Sequence, residues 1–179
     1  MKPTVIYIHG YGSTGATDTA KNLRSILANE VELISPTYDG SEPLAAAQQL
    51  EALVRETAGG TLLIVGTSLG GFFANYLARV CNVPAILVNP SLRPSASLHK
   101  YGESPSALAG YTQLESAEAL QTTFPKRLVV VGTRDTVVDP RTNGLTLREA
   151  TVLLDMGHRI EPAFYETIAG LILQMTKAD

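Results

Sequence analysis

Short β-branched apolar runs alternate along this chain with longer stretches in which apolar residues return at every third or fourth position. The runs occupy residues 4–8, 31–34, 61–65, 85–88, 128–131 and 151–154, and each predicts a strand. Several are apolar throughout, as strands of a parallel sheet covered on both faces must be. The helical stretches are 19–28, 43–58, 69–80 and 162–175; Leu44, Ala47, Leu50, Leu53 and Val54 form one such stripe. Alternating strands and helices with right-handed crossovers predict an α/β fold. Its sheet is doubly wound, six-stranded and mostly parallel, with helices on both faces.

Residues 91–125 break the rhythm. They separate two strands by far more than a crossover needs and are rich in serine, proline and alanine. A long insertion leaving the sheet at a strand end reads as a lid-like segment over a crevice, or as a pair of surface helices remote from any ligand. No internal repeat or change of composition marks a second unit, so residues 1–179 read as one domain with the insertion inside it.

Composition narrows the partners. A net charge of −3 from 14 basic and 17 acidic residues, with no basic cluster, gives no footprint for nucleic acid or an anionic membrane. The apolar run after Met1-Lys2-Pro3 is too short for a secretory leader, and no stretch reaches membrane-spanning length. A cytoplasmic protein is expected. The single cysteine, Cys81, rules out an internal disulfide framework and reads as core packing.

The candidate chemistry starts at Gly66-Thr67-Ser68-Leu69-Gly70, which joins the strand at 61–65 to the helix from Leu69. This pentapeptide alone could be an ordinary glycine-rich turn. Between a strand and a helix, it matches a nucleophile elbow: a serine on a tight, strained turn, with glycines removing side chains that would collide. A neutral serine hydroxyl needs a base. Of three histidines, His158 lies just past the last predicted strand and is the best candidate, whereas His9 reads as a structural hydrogen-bonding residue and His99 as a surface side chain. The base needs a carboxylate to fix its tautomer. Asp135 follows the strand at 128–131 and lies between serine and histidine in chain order; it is preferred. Asp139 competes, although Asp139-Pro140 also reads as a helix cap, and Asp155 is a weaker third.

An oxyanion formed at Ser68 needs two amide donors. Leu69 N–H comes with the elbow, and Tyr11 N–H is the best second, from the loop His9-Gly10-Tyr11-Gly12. That loop lacks the patterns of a nucleotide-phosphate cradle. Cysteine and histidine spacing offers no metal site, and no cofactor is called for. Tyr11, Phe72, Leu92, Leu98, Tyr101 and Tyr111 are candidates for an apolar acyl pocket or for packing. Arg93, Arg134 and Arg159 fall in loops expected at the same face, where they would clamp an anionic substrate group or stand solvated.

Together these segments resemble the small YqiA-like esterases of the α/β-hydrolase superfamily. The resemblance rests on His9-Gly10 with Ser13, on Gly66 through Ala74, on Asn89-Pro90-Ser91-Leu92-Arg93-Pro94 and on Gly157-His158. It departs at Arg159-Ile160 and within the insertion. The resemblance implies a reduced α/β-hydrolase core, a Ser68, Asp135, His158 triad and hydrolysis of short acyl esters; Phe72, Leu92, Arg93 and Arg159 are expected as substrate-binding residues from their own places along the chain. An acyl thioesterase and a non-catalytic binding protein on the same fold are the alternatives. The small-molecule substrate is then an ester or thioester, and the oligomeric state is left open.

Overall fold

Successive residues of a strand face opposite sides of the sheet, and here both sides are buried. Ile6, Ile8, Ile64, Leu87, Val129 and Val131 enter one core, while Val5, Tyr7, Leu63, Val65, Ile86, Val88 and Val130 enter the other. This double burial is why the strands carry no polar alternation. The structure is a computed structural model that describes residues 2–57, 59–122, 125–138 and 150–177. Asp139, the competing acid, lies outside these residues, as do Ala58 at the end of the second predicted helix and residues 123–124 of the insertion.

The strands are β1 (Thr4–Ile8), β2 (Glu32–Ile34), β3 (Leu62–Thr67), β4 (Ala85–Val88), β5 (Arg127–Gly132) and β6 (Ala150–Leu154), in the order β2-β1-β3-β4-β5-β6. Every pairing of these strands is parallel. The helices are α1 (Asp18–Leu27), α2 (Pro43–Thr57), α3 (Leu69–Cys81), α4 (Pro94–Ser97), α5 (Pro105–Ala119) and α6 (Tyr165–Lys177). Residues of α2, α3 and α5 cover one face; residues of α1 and α6 cover the other. Cys81 is half-buried at the end of α3, where burial raises its thiol pKa and disfavours the thiolate.

The topology places the site. From β1 the chain moves outward to β2 and then crosses back to β3 on β1's other side, so the winding direction reverses between β1 and β3. Ligands of such sheets bind beyond the carboxyl ends of the strands at that switch. The register brings those ends level: Ile8 faces Gly66, Thr67 faces Val88 and Gly132 faces Leu154. The loops carrying His9, Ser68, Asn89, Asp135 and His158 therefore leave the sheet on one rim.

The insertion consists of α4, a 3-10 turn at Leu98–Tyr101 and α5. Its second helix is fixed to the body. Tyr111 is fully buried and its hydroxyl donates to Gly40 O at 2.5 Å, and Glu118 pairs with Arg79 of α3. Glu115 accepts from both the amide and the hydroxyl of Ser95, tying α5 to α4.

Candidate active site at the carboxyl rim

Ser68 is the turn between β3 and α3, and its backbone sits at φ 57° and ψ −119°. A non-glycine residue there stores about 1–3 kcal/mol of strain, which persists only if its surroundings determine it. They do: Ser68 N–H donates to Val88 O at 3.0 Å, and Ser68 O accepts from the amides of Gly71 and Ser91, both at 2.9 Å. The turn also demands its glycines. A Cβ on Gly66 would lie 2.1 Å from Gly70 O, and one on Gly70 would lie 2.1 Å from Ile8 O. The strand, the helix start and the end of β1 thus meet with no room for a methyl group.

Ser68 Oγ is 2.9 Å from His158 Nε2, and His158 Nδ1 is 2.9 Å from Asp135 Oδ2. A carboxylate can only accept, so Nδ1 carries the proton and Nε2 presents its lone pair to the serine hydroxyl. The Asp135 side chain is 2% exposed and that of His158 18%. Asp135 Oδ1 accepts from the amides of Val137 at 2.8 Å and Val138 at 3.1 Å, so its carboxylate is oriented by its own turn. Asp155, the third acid candidate, is engaged elsewhere: its Oδ1 accepts from Arg134 Nε at 3.0 Å.

His9 is buried against Tyr38, their rings stacked 4.3 Å apart. Its Nδ1 donates to Gly10 O at 2.8 Å and its Nε2 accepts from Tyr38 N–H at 3.4 Å. Both nitrogens are used, and burial lowers the imidazole pKa. His99 is exposed on the insertion. Gly10 packs directly on the serine: a Cβ built on it would lie 3.4 Å from Ser68 Cβ. Among the described residues, the backbone amides of Leu69 and Tyr11 donate to no protein acceptor, and both residues line the cleft that holds Ser68 and His158.

That cleft has a volume of about 820 Å³. Its lining includes the hydroxyl residues Tyr7, Thr17, Thr19 and Thr67, with Tyr7 and Thr67 hydrogen-bonded to each other at 3.1 Å. Leu98, Lys100 and Tyr101 of the insertion and Val137 and Val138 of the turn after Asp135 also line it. Of the predicted substrate-binding residues, Arg159 lines the cleft. Phe72 does not: it is 1% exposed, packed edge-on to Phe73 and Tyr111 inside the core. Leu92, half-buried, and Arg93, exposed, also lie outside the cleft lining. Arg134 is outside the cleft lining and is bound to Asp155 and Glu161.

Residue-by-residue reading of the sequence missed the supports of the histidine loop. Asn89 Oδ1 accepts from Gly132 N–H at 2.7 Å, and its Nδ2 donates to Gly157 O at 3.0 Å and to His158 O at 2.9 Å. Glu161 accepts from Gly157 N–H at 2.8 Å, a bond that lowers the pKa of its carboxyl, with Arg134 adding to the effect. No local pattern announces these contacts. The one signal for Asn89 was its place in the Asn89-to-Pro94 motif at a strand end.

Among the described residues, no three His, Cys, Asp or Glu side chains converge as a metal site, and no helix is long and apolar enough to cross a membrane. Solved structures share the fold. Est1E from Butyrivibrio proteoclasticus aligns over 97% of this chain and 86% of its own, with TM-score 0.77 and 12% identity. The Paleococcus ferrophilus monoacylglycerol lipase aligns over 98% and 95%, with TM-score 0.71 and 13% identity. In sequence, the UPF0227 protein of Pectobacterium atrosepticum is 25% identical over 81% of this chain and 82% of its own length. A family model described as "Uncharacterised protein family (UPF0227)" matches residues 4–161, a span that holds Ser68, Asp135 and His158, and the chain belongs to that family.

Proposed function

We propose that this protein is a serine hydrolase that cleaves carboxylic esters of short acyl chains through an acyl-enzyme on Ser68. The observation that carries the reading is the hydrogen-bonded line from Ser68 Oγ through His158 to Asp135, set at a strained elbow in an open cleft. His158 Nε2 takes the hydroxyl proton as Ser68 Oγ attacks the ester carbonyl carbon. The amides of Leu69 and Tyr11 receive the developing oxyanion. His158 then gives its proton to the leaving alcohol oxygen, and the C–O bond to the alcohol breaks. Water, deprotonated by the same nitrogen, attacks the acyl carbon; the bond to Ser68 Oγ breaks, Oγ takes the proton back from His158, and the acid is released. Asp135 keeps Nδ1–H oriented and stabilises the imidazolium in both halves. No metal or cofactor enters the scheme, and Arg159, which lines the cleft, supports the reading that the substrate carries a polar or anionic substituent.

Ser68→Ala tests the reading. Hydrolysis of p-nitrophenyl acetate and butyrate should fall by at least about 10³-fold while the circular dichroism spectrum is kept. Unchanged turnover overturns it. A higher kcat/KM for acyl thioesters than for matched oxygen esters would replace the ester assignment. A wild-type protein that neither hydrolyses nor reacts with a fluorophosphonate would be a binding protein on a hydrolase fold.

A further inference from the structure

Asn89 follows the last residue of β4 and is 2% exposed, with a backbone φ of 44° in the left-handed region that asparagine tolerates better than most residues. Its own amide donates to Val130 O at 2.8 Å, which locks its backbone to β5. Its side chain reaches two further segments at once. Oδ1 takes the Gly132 amide, and the two Nδ2 hydrogens go to the carbonyls of Gly157 and His158. Only one orientation of the amide fits one N–H and two C=O groups, so the assignment of oxygen and nitrogen is fixed by the partners.

Those partners are the two segments that must stay in register. Gly132 opens the turn to Asp135, closed by the Asp135 amide on Gly132 O at 3.1 Å, and His158 carries the imidazole. We propose that Asn89 is a positioning residue of this site: its buried carboxamide ties the backbone of the base to the turn that carries the acid, and so holds His158 between Asp135 and Ser68. The inference rests on the function proposed above. Asn89 touches none of the reacting atoms. It acts through His158, and Glu161 adds a separate bond to Gly157 N–H of the same loop.

Two substitutions separate this from plain stability. Asn89→Asp keeps an acceptor for Gly132 N–H and tolerates the backbone, but turns an oxygen toward the carbonyls of Gly157 and His158. Asn89→Gly keeps the backbone unstrained and removes all side-chain bonds. Each is compared with wild type, Ser68→Ala and His158→Ala by p-nitrophenyl butyrate kinetics, thermal melting and the proton resonance of the His158 Nδ1–H bonded to Asp135. The expected result is a fall in kcat of about 10- to 100-fold, as for a misplacement of about 1 Å, with KM within about threefold. The Nδ1–H resonance should broaden or vanish in the folded variants, and Asn89→Asp should lose more kcat than Asn89→Gly. A folded variant with wild-type kcat overturns the proposal, as does a kcat loss that merely tracks the unfolded fraction with the resonance unchanged. Failure of both variants to fold assigns Asn89 to the fold instead. Should Ser68→Ala keep full activity, the proposed function fails on its own, while the resonance still reports whether Asn89 holds His158.

Discussion

Replacing Asp135 by asparagine is isosteric, yet the surroundings of the carboxylate decide what it does. Oδ1 accepts from two amides, those of Val137 and Val138, whereas among the described residues Oδ2 accepts only from His158 Nδ1. The new amide must point its oxygen at one set of donors. Turning the NH₂ toward the two backbone amides forfeits two hydrogen bonds, at roughly 1 kcal/mol each. That difference, about 2 kcal/mol, keeps the oxygen on the amides in more than about nine molecules in ten. The NH₂ then faces His158 and donates, so Nδ1 must accept and the imidazole proton moves to Nε2. There it meets Ser68 as a donor instead of a base. The side chain is 2% exposed, which leaves little room for water to restore the original tautomer. The same exchange in Ser-His-Asp sites costs about 10⁴ in kcat. Steady-state hydrolysis of p-nitrophenyl butyrate by Asp135→Asn should therefore fall by about 10³- to 10⁴-fold, with KM within about threefold and the melting temperature little changed. Activity within tenfold of wild type in a folded variant would refute the reasoning, because the imidazole tautomer would then not depend on this carboxylate.

The rest concern the scaffold. Gly70→Ala places a methyl 2.1 Å from Ile8 O and 2.4 Å from His9 O, both backbone atoms of β1 and its loop. It should cost at least about 3 kcal/mol or leave the chain unfolded, seen as a large drop in melting temperature. Gly170→Ala is the contrast: it lies exposed within α6 with no atom within 4 Å of the new Cβ, and should stabilise by about 0.5–1 kcal/mol in urea unfolding. His9, whose pKa burial lowers, binds a proton more readily in the unfolded chain than in the folded one. Stability should thus be insensitive to this group above about pH 6.5 and fall with acidification below it, by at most about 1.4 kcal/mol per pH unit. His9→Asn should remove that part of the slope in denaturant titrations at successive pH values. Glu118→Ala breaks the ion pair with Arg79, whose side chains are 19% and 11% exposed, and should cost roughly 1.5–3 kcal/mol, the worth of a hydrogen bond to a charged group, while the bond from Arg79 to Gln121 O stays.

Regular elements were legible where both periodicity and burial are strong. All six strands were anticipated within about two residues, and β3 runs on to Thr67 because the elbow is a direct continuation of the strand. The strand order was not readable from spacing, since it depends on which side of β1 each crossover packs. The insertion was legible as an interruption, a lid-like segment or a pair of surface helices, but not in its packing: α5 buries small residues with Leu114 and Tyr111, and the contact of Tyr111 with Gly40 spans 71 residues. Ser68, Asp135 and His158 were nominated from turn chemistry and chain order, and the structure brings them within hydrogen-bonding distance. Phe72, read as a candidate for the acyl pocket or for packing, is packed in the core; α3 is buried nearly all round, so its pattern does not tell the cleft side from the core side. Asn89 was quoted with its motif but given no role. Its side-chain partners lie 43, 68 and 69 residues away, beyond the reach of any local signal.

The central claim is that the hydroxyl of Ser68 is an activated nucleophile. Incubation with a fluorophosphonate, followed by intact mass measurement and peptide mapping, addresses it directly. The account predicts one phosphonyl adduct per chain on the peptide bearing Ser68, parallel loss of ester hydrolysis, no adduct in Ser68→Ala and much slower labelling in His158→Ala. A protein that keeps hydrolysing esters while Ser68 stays unlabelled, or one labelled at a different residue, would contradict it.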